Sequence, residues 1–263
     1  MSATPALTEG HQLTELLKGF KLTTMASELV VRLEDAGHEA SLPVLLEVFE
    51  MEREARWERR VTRLTRASKL PSAKTFDTFD MNRLPRPLAR QLRELAGGDF
   101  LDRAVNVLAF GLPGTGKTHA ACALGHALVQ AGHAVLFTPT FQLVQSLLVA
   151  KRELELARAL RKLDRYSLVV MDDIGYVQQS PEEMEVLFTL LAERYERRST
   201  LITSNLVFSQ WDRIFQNPMT TAAAIDRLVH HSVILEFDVP SYRTEKRGAK
   251  GAAAKRPAKG AKS

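Results

Sequence analysis

An eight-residue glycine-rich segment constrains the fold of this 263-residue chain more than any other feature. It reads Gly111-Leu112-Pro113-Gly114-Thr115-Gly116-Lys117-Thr118 and matches the phosphate-loop pattern at every defined position. An apolar run at 105–110 precedes it, and an alanine-rich helical pattern follows it. Because glycines let successive backbone N–H groups point at phosphate oxygens, this context predicts a nucleoside triphosphate site. The alternative is a glycine-rich turn that caps an ordinary helix, and both flanking elements argue against it.

Within this segment, Lys117 is expected to reach the β- and γ-phosphates, and the Thr118 hydroxyl to coordinate Mg²⁺. A second apolar run, residues 168–171, ends in Asp172 and Asp173. Ligands bind beyond the carboxyl ends of parallel strands, so we expect Asp172 to hold Mg²⁺ through water. Asp173 is expected to polarise the attacking water. Two aspartates alone would more often begin a loop, so this interpretation depends on the phosphate loop.

Two further polar residues are candidates for the same reaction. Asn205 follows the strand predicted at 200–203 and is placed to orient the attacking water. Its alternative is an asparagine that simply ends a strand. Arg227 precedes the last predicted strand and would stabilise charge on the γ-phosphate of a neighbouring subunit. A surface pair with Asp226 is about equally compatible with the sequence.

The order of the predicted elements indicates an α/β fold. Short apolar runs alternate with helical patterns from residue 88 onward, which is typical of a parallel sheet with helices on both faces. Five strands are predicted, at 105–110, 135–138, 167–171, 200–203 and 233–237, with helices at 117–131, up to 163, 181–197 and 221–230. We expect an ATPase domain at 88–240, preceded by a proline-rich linker at 70–87.

The first 69 residues are predicted to form a helical domain, with Ser41 capping a helix that has Pro43 in its first turn. Four arginines of that helix recur three and four residues apart and therefore share one face: Arg53, Arg56, Arg60 and Arg63. This arginine stripe is our first candidate for contact with DNA phosphates. The alternative is a solvated face with Glu/Arg pairs such as Glu52/Arg56. Residues 151–165 are a second basic segment, equally compatible with an ordinary surface helix.

Charge is concentrated at the end of the chain. Residues 241–263 contain eight basic residues and one acidic residue, so they carry +7 and the rest carries −2 of the net +5. This low-complexity segment is expected to be a disordered basic tail that either attracts polyanions or solubilises the protein. No apolar run reaches the roughly 20 residues that span a bilayer, and no signal-peptide core is present, so we expect a cytoplasmic protein.

Several other residues invite functional interpretation. His119 and His126 lie seven residues apart on the predicted helix after the phosphate loop, and we expect them to belong to the helix surface or the core and not to a zinc site. Cys122 is expected to be a buried apolar residue. His230 and His231 would cap a helix end. Phe76 and Phe79 would either pack on the adenine or anchor the linker.

Taken together, these segments resemble the AAA+ ATPases of the helicase-loader type, and most closely the IstB-like family, the ATP-dependent helpers of insertion-sequence transposases. The resemblance covers about residues 10–245 and includes 171–176, 202–205 and 225–231 besides the phosphate loop. In family terms these are Walker A, Walker B, sensor 1 and the arginine-finger region. The resemblance implies an N-terminal helical domain and ATP-driven homo-oligomerisation on duplex DNA of any sequence. It also implies contact with a partner transposase of the IstA type during transposition and DNA recombination.

Two features depart from the AAA+ pattern. Asp173 stands where these proteins generally have glutamate, so its carboxylate is set back by about 1.5 Å and hydrolysis is expected to be slow. The residues that follow 237 are too few for the small helical lid, so a neighbouring subunit is expected to close the nucleotide site. Slow hydrolysis would suit a switch better than a high-turnover motor.

The sequence is compatible with three functions. The first is an ATPase switch that delivers or activates target DNA for a transposase. The second is a replicative helicase loader of the DnaC type, which would favour single-stranded DNA and a hexameric helicase. The third is a small-molecule kinase, which the arrangement of Asp172, Asp173 and Asn205 does not favour, because it fits attack by water.

Overall fold

The computed structural model describes residues 8–176, 180–206, 210–211 and 218–242. The chain divides into two compact units, Met1–Arg63 and Leu64–Ser263. Within the described part of the chain, no helix is both long and apolar enough to cross a membrane.

The first unit is helical, as predicted. It contains α1 (Glu9–Gly19), α2 (Thr23–Asp35), a 3-10 turn (Glu39–Ser41) and α3 (Leu42–Ser68), the last of which continues into the second unit. Leu13 and Leu17 of α1 are fully buried and form a small core with Leu42. Phe49 packs against this core from further along α3 and lies against Phe20 with ring centroids 6.0 Å apart. The apolar positions that recur at helical spacing thus face this core, and those of α2 are only partly buried against it.

The segment predicted as a linker, 70–87, lies in the second unit, after the end of α3. This segment contains a 3-10 turn (Met81–Arg83), in which the Asp80 side chain accepts a hydrogen bond from the Asn82 amide. Helix α4 (Arg86–Ala96) starts two residues before the predicted beginning of the ATPase domain at residue 88, because Pro87 fits the first turn of a helix. A short helix α5 (Asp99–Asp102) then leads into the sheet.

The sheet has five parallel strands in the order β2-β3-β4-β1-β5, which confirms the predicted fold. The elements after α5 are β1 (Asn106–Gly111), α6 (Lys117–Gln130), β2 (Val135–Pro139), α7 (Thr140–Arg152), α8 (Leu156–Leu163), β3 (Leu168–Asp172), a 3-10 turn (Ile174–Tyr176), α9 (Pro181–Arg194), β4 (Ser199–Ser204), α10 (Pro218–Val229) and β5 (Ser232–Phe237).

Helices cover both faces of the sheet. Leu108 and Phe110 of β1 belong to the core formed with α7, α9 and α10, whereas Ala109 between them faces Leu92 of α4 and Leu124 of α6. Side chains alternate across a strand, so these two sets of helices lie on opposite faces. Strands β1 and β3 read as continuous apolar runs because both of their faces are buried.

Candidate nucleotide site

The predicted phosphate loop joins β1 to α6 at the carboxyl edge of the sheet. Gly114 and Gly116 have φ of 84° and 103°, in the left-handed region that favours glycine. Gly111 has φ 153°, and a Cβ there would lie 2.6 Å from the Phe237 carbonyl oxygen. The loop therefore requires glycine at Gly111 for space and at the other two positions mainly for conformation.

Lys117 is the first residue of α6 and is only 8% exposed. Its Nζ donates hydrogen bonds to the carbonyl oxygens of Gly111 (2.6 Å) and Leu112 (2.9 Å). The ammonium is thereby held inside the curve of the loop, at the positive end of a helix dipole. A cation at this place can pair with the phosphates of a bound nucleotide.

Asp172 at the end of β3 accepts two hydroxyl hydrogen bonds on one oxygen. Thr118 Oγ1 lies 2.8 Å and Thr203 Oγ1 lies 2.7 Å from Asp172 Oδ1. Thr140 Oγ1 donates to the Asp172 carbonyl at 2.9 Å, and its side chain is fully buried. The structure therefore brings together the predicted pair Thr118 and Asp172. It adds Thr140 and Thr203 as supports, two residues for which the sequence predicts no role.

Thr203 also contacts the second carboxylate residue. Its Oγ1 accepts a hydrogen bond of 2.8 Å from the Asp173 amide, while donating to Asp172. One hydroxyl at the end of β4 thus fixes the backbone that carries both aspartates. Asp173 itself has φ 63°, a left-handed conformation.

Asn205 follows β4 and lies against the same turn. Its Oδ1 is buried and has no hydrogen-bond partner within the described ranges. The side chain packs so closely on Gly175 that a Cβ at that glycine would overlap Oδ1. A buried amide oxygen without a partner has a strong tendency to bind water, which fits the predicted role of Asn205.

Arg227 lies at the amino edge of the sheet, where the parallel strands begin, opposite the carboxyl edge that holds the phosphate loop. It is in the last turn of α10, where the neighbouring Leu228 carbonyl accepts a hydrogen bond from Asn106 Nδ2 at 3.4 Å. Asn106 begins β1 and Gly111 ends it, so about 17 Å of strand separates this edge from the phosphate loop. The Arg227 guanidinium stacks on the Phe188 ring, 4.6 Å from its centroid. Its Nη1 atom is buried and has no hydrogen-bond partner among the described residues. The structure does not bring Arg227 to the phosphate loop of its own chain.

A cavity of about 320 Å³ opens beside the phosphate loop. The linker lines it with Lys74, Thr78, Phe79 and Arg83, and the chain after β5 lines it with Val239, Pro240 and Tyr242. The Tyr242 amide donates to the Gly114 carbonyl at 2.9 Å. Arg83 lies over the Tyr242 ring, 4.2 Å from its centroid. The linker and the end of the second unit therefore form the walls of a pocket large enough for part of a nucleotide.

Phe79 both lines this cavity and packs on helix α6. Its ring centroid is 5.0 Å from that of His119, and it would contact a Cβ at Gly116 at 3.1 Å. The His119 ring nitrogen Nε2 also lies 3.2 Å from the Thr75 carbonyl oxygen, and burial lowers the pKa of His119. His126 Nε2 lies 3.0 Å from the Pro71 carbonyl oxygen. These two histidines hold the linker on α6 and do not belong to any metal-binding cluster of described residues.

Cys122 behaves as predicted. It is fully buried in α6, and burial raises the pKa of its thiol to about 12. The thiol is therefore protonated and unreactive at neutral pH.

The donor set around Asp172 fits Mg²⁺. One carboxylate and one hydroxyl, both hard oxygen donors, lie 2.8 Å apart next to the phosphate loop. Mg²⁺ is usually held by one or two such groups together with water and substrate phosphates. Thr118 and Asp172 are the residues that would hold it.

The arginine stripe lies on α3 in the first unit, and its four guanidinium groups belong to exposed residues. Arg56 Nε donates to Glu52 at 2.6 Å and its guanidinium lies over Phe20 at 4.3 Å, whereas Arg53 pairs with Glu50 at 3.5 Å. The Glu52/Arg56 ion pair is the one expected if this face of α3 is an ordinary solvated surface, the alternative to DNA contact. The basic segment 151–165 also forms ion pairs, since Lys151 contacts Glu185 at 2.6 Å.

The fold and the phosphate-loop site place the chain in the class of AAA+ P-loop ATPases. The solved structures that it resembles support this class at the level of the fold. The DnaC helicase loader superposes with a TM-score of 0.55 and 18% identity, covering 63% of this chain and 97% of that one. AMPPCP-bound DnaA from Aquifex aeolicus superposes with a TM-score of 0.55 and 16% identity, over 74% of this chain and 58% of that one.

The family model for IstB-like ATP binding proteins matches residues 14–250, and the chain belongs to this family. An insertion-sequence ATP-binding protein of Sinorhizobium fredii is 46% identical over 197 residues, which are 74% of this chain and 66% of the relative. The ATP-binding protein of insertion sequence IS21 from Pseudomonas aeruginosa is 37% identical over 242 residues, which are 91% of each chain. The chain thus spans just under two thirds of the first relative and nearly all of the second.

Proposed function

We propose that this protein is an ATP-dependent DNA-binding switch that oligomerises on duplex DNA and prepares it for a partner transposase. The observation that carries the proposal is the separation of Arg227 from the phosphate loop along β1. An arginine at the amino edge of the sheet can complete an ATP site only in a neighbouring copy of the chain. ATP would therefore hold two copies together while it remains uncleaved.

Hydrolysis would be carried out by the residues at the ends of β3 and β4. Asp173 would accept a proton from the attacking water, and the Asn205 amide oxygen would orient that water. Thr203 would hold both aspartates in place through its two hydrogen bonds. Lys117 would neutralise charge on the β- and γ-phosphates. Bound Mg²⁺, held by Thr118 and Asp172, would offset the remaining phosphate charge.

DNA contact is assigned to the arginine stripe. Phosphate contacts position a protein without reading base sequence, which suits a helper that acts at many targets. The relatives named above are ATP-binding proteins of insertion sequences, and this supports a transposase as the partner. The solvated-face alternative predicts instead that removing these arginines leaves DNA affinity unchanged.

The proposal is tested by light scattering of the full chain with a duplex of about 40 base pairs, which is roughly four helical turns. A non-hydrolysable ATP analogue with Mg²⁺ should convert the protein from small species into oligomers on DNA of any sequence. Lys117→Ala should remain unassembled under the same conditions. A wild-type chain that stays monomeric with analogue and DNA would contradict the proposal.

A helicase loader is the second candidate, because the DnaC helicase loader shares the fold. The same experiment separates the two functions. Preferential assembly on single-stranded DNA, together with co-purification of a hexameric helicase, would favour the loader over the transposition switch.

A further inference from the structure

A cluster of three potential metal ligands lies at the amino edge of the sheet, away from the nucleotide site. Glu196 follows α9, and His230 with His231 join α10 to β5. One ligand atom from each lies within 4.8 Å of the other two, and all three residues are exposed. His231 Nε2 is 3.8 Å from Glu196 Oε1, and the two imidazole rings meet edge to face with centroids 4.4 Å apart.

We propose that Glu196, His230 and His231 form a binding site for one divalent transition-metal ion, with Zn²⁺ the best-fitting cation. Two imidazoles and one carboxylate are a recurrent three-ligand set for Zn²⁺, which then keeps a fourth position for water. Imidazole nitrogen also favours Zn²⁺, Ni²⁺ and Cu²⁺ over Mg²⁺, which prefers oxygen ligands. The cluster thus differs in chemistry from the site at Asp172.

The backbone around the cluster is anchored at three points. Buried Arg194 donates to the carbonyl oxygens of Leu163 (3.0 Å) and Ser199 (2.8 Å), which fixes the end of α9 next to Glu196. The His231 carbonyl accepts a hydrogen bond of 2.8 Å from the Asn106 amide at the start of β1. Only side chains must therefore move to bind an ion.

The required movement is small. Tetrahedral ligands about 2.0–2.2 Å from Zn²⁺ lie roughly 3.4 Å from one another, so ligand atoms that lie within 4.8 Å must close by up to about 1.4 Å. Exposed side chains can make this change by rotamer adjustment. Tyr195 already orients one of them, because its hydroxyl lies 3.2 Å from His230 Nδ1. Such contacts to a metal-binding imidazole typically strengthen the site.

The ion would connect the ends of α9 and α10 to the start of β5. Glu196 is more than 30 residues from His230 and His231 in sequence, and an ion that binds the folded state would stabilise it. Arg227 belongs to the last turn of α10, one turn before His230. The proposed site therefore lies on the edge of the molecule that carries Arg227, although it does not depend on the proposed function.

Isothermal titration of Zn²⁺ into the untagged full chain, with excess Mg²⁺ present to occupy oxygen-donor sites, tests the proposal. We expect one ion per chain and a rise in melting temperature. His231→Ala and Glu196→Gln should each weaken Zn²⁺ binding by at least about tenfold, since even supporting contacts are worth 10–100-fold. His38→Ala, which removes an exposed histidine in the first unit, is the matched control and should leave binding unchanged.

Binding of an ATP analogue, measured in the same preparations, confirms that each variant is folded. The proposal is overturned if the wild type shows no saturable Zn²⁺ binding. It is equally overturned if His231→Ala binds Zn²⁺ as tightly as His38→Ala does, because the ion would then lie elsewhere. Neither result would bear on the ATP-dependent assembly proposed above.

Discussion

Asp173, which stands where AAA+ proteins generally have glutamate, has a backbone conformation that suits aspartate. Its φ of 63° lies in the left-handed region, where aspartate and asparagine are several-fold enriched among residues other than glycine. The Thr203 hydroxyl holds this conformation by accepting a hydrogen bond from the Asp173 amide. The shorter side chain therefore matches the local backbone, at the expected cost of slower hydrolysis.

Asp173→Asn should bind ATP normally and hydrolyse it poorly. Asparagine tolerates the left-handed backbone, so the fold and the Thr203 hydrogen bond are kept, whereas the proton acceptor is removed. A general base contributes about 10²–10⁴-fold, so phosphate release should fall by at least about 10²-fold. Phosphate release and analogue binding are measured side by side. Hydrolysis at the wild-type rate would show that Asp173 is not the proton acceptor.

The sequence predicts some residues of this site and misses others, for a physical reason. Lys117 and Thr118 belong to one continuous motif whose backbone geometry is local, and Asp172 ends a readable apolar strand. The supporting hydroxyls of Thr140 and Thr203 are 32 and 31 residues from Asp172. Their contacts depend on strand order, with β3 between β2 and β4. A threonine at a strand end gives little signal until that order is known.

At the scale of elements, Gly111 couples the phosphate loop to the end of β5. It pairs with Phe237 in the parallel register of β1 and β5, and a Cβ would lie 2.6 Å from the Phe237 carbonyl oxygen and 2.8 Å from its Cβ. Both neighbours are on or next to the backbone and cannot move away without shifting β5. The glycine is therefore a packing requirement as well as a loop residue.

Gly111→Ala should lower the free energy of unfolding by about 1–3 kcal/mol or more, through backbone strain and the clash with Phe237. Chemical denaturation measures the change. Gly19→Ala is the matched control, because nothing lies within 4 Å of a Cβ there and the residue ends helix α1. Equal stability of the two variants would contradict the packing argument.

The arginine stripe on α3 gives a prediction for DNA binding. Arg53→Ala combined with Arg60→Ala should weaken binding about equally for all duplex sequences. It should also reduce the steepness with which the logarithm of the binding constant falls with the logarithm of salt concentration by about 2, because each arginine is expected to neutralise one phosphate. Fluorescence anisotropy at several salt concentrations measures both effects. Arg32→Ala, which removes an exposed arginine paired with Glu28, is the control in the same unit. An unchanged slope would favour the solvated-face alternative.

Element order can be predicted from sequence more reliably than element ends. The helical pattern predicts one stretch up to residue 163, but α7 ends at Arg152 and α8 begins at Leu156. Leu154 adopts φ 59°, and the Glu155 amide donates to the Ala150 carbonyl at 2.7 Å, as in a Schellman C-cap. Glycine normally marks such a cap. With leucine in its place, the sequence contains no signal for the break.

For the whole molecule, the two edges of the sheet carry different candidate residues. The carboxyl edge holds the phosphate loop and both aspartates, whereas the amino edge holds Arg227. A head-to-tail contact brings the amino edge of one copy to the carboxyl edge of the next, and such contacts generate rings or filaments. The prediction of a disordered basic tail at 241–263 lies outside the described residues, apart from Ser241 and Tyr242.

A mixing experiment tests whether Arg227 acts on a neighbour. Arg227→Ala retains its own Asp173 and should hydrolyse ATP about 10³-fold more slowly, the lower range for an arginine finger. Asp173→Asn retains Arg227 and is also inactive. In an equimolar mixture, about a quarter of the head-to-tail interfaces should pair an intact Asp173 with an intact Arg227, so hydrolysis should return to about that fraction of wild type.

Light scattering first establishes that both variants still assemble on DNA with ATP, since recovery requires mixed oligomers. A mixture of wild type with the Asp173→Asn/Arg227→Ala double variant reports subunit exchange, because hydrolysis should fall from about a half to about a quarter of wild type when the subunits mix. If Arg227 acted within its own chain, each chain of the Arg227→Ala and Asp173→Asn mixture would carry one defect in its only ATP site. The mixture would then stay inactive, and the division of tasks between the sheet edges would be wrong.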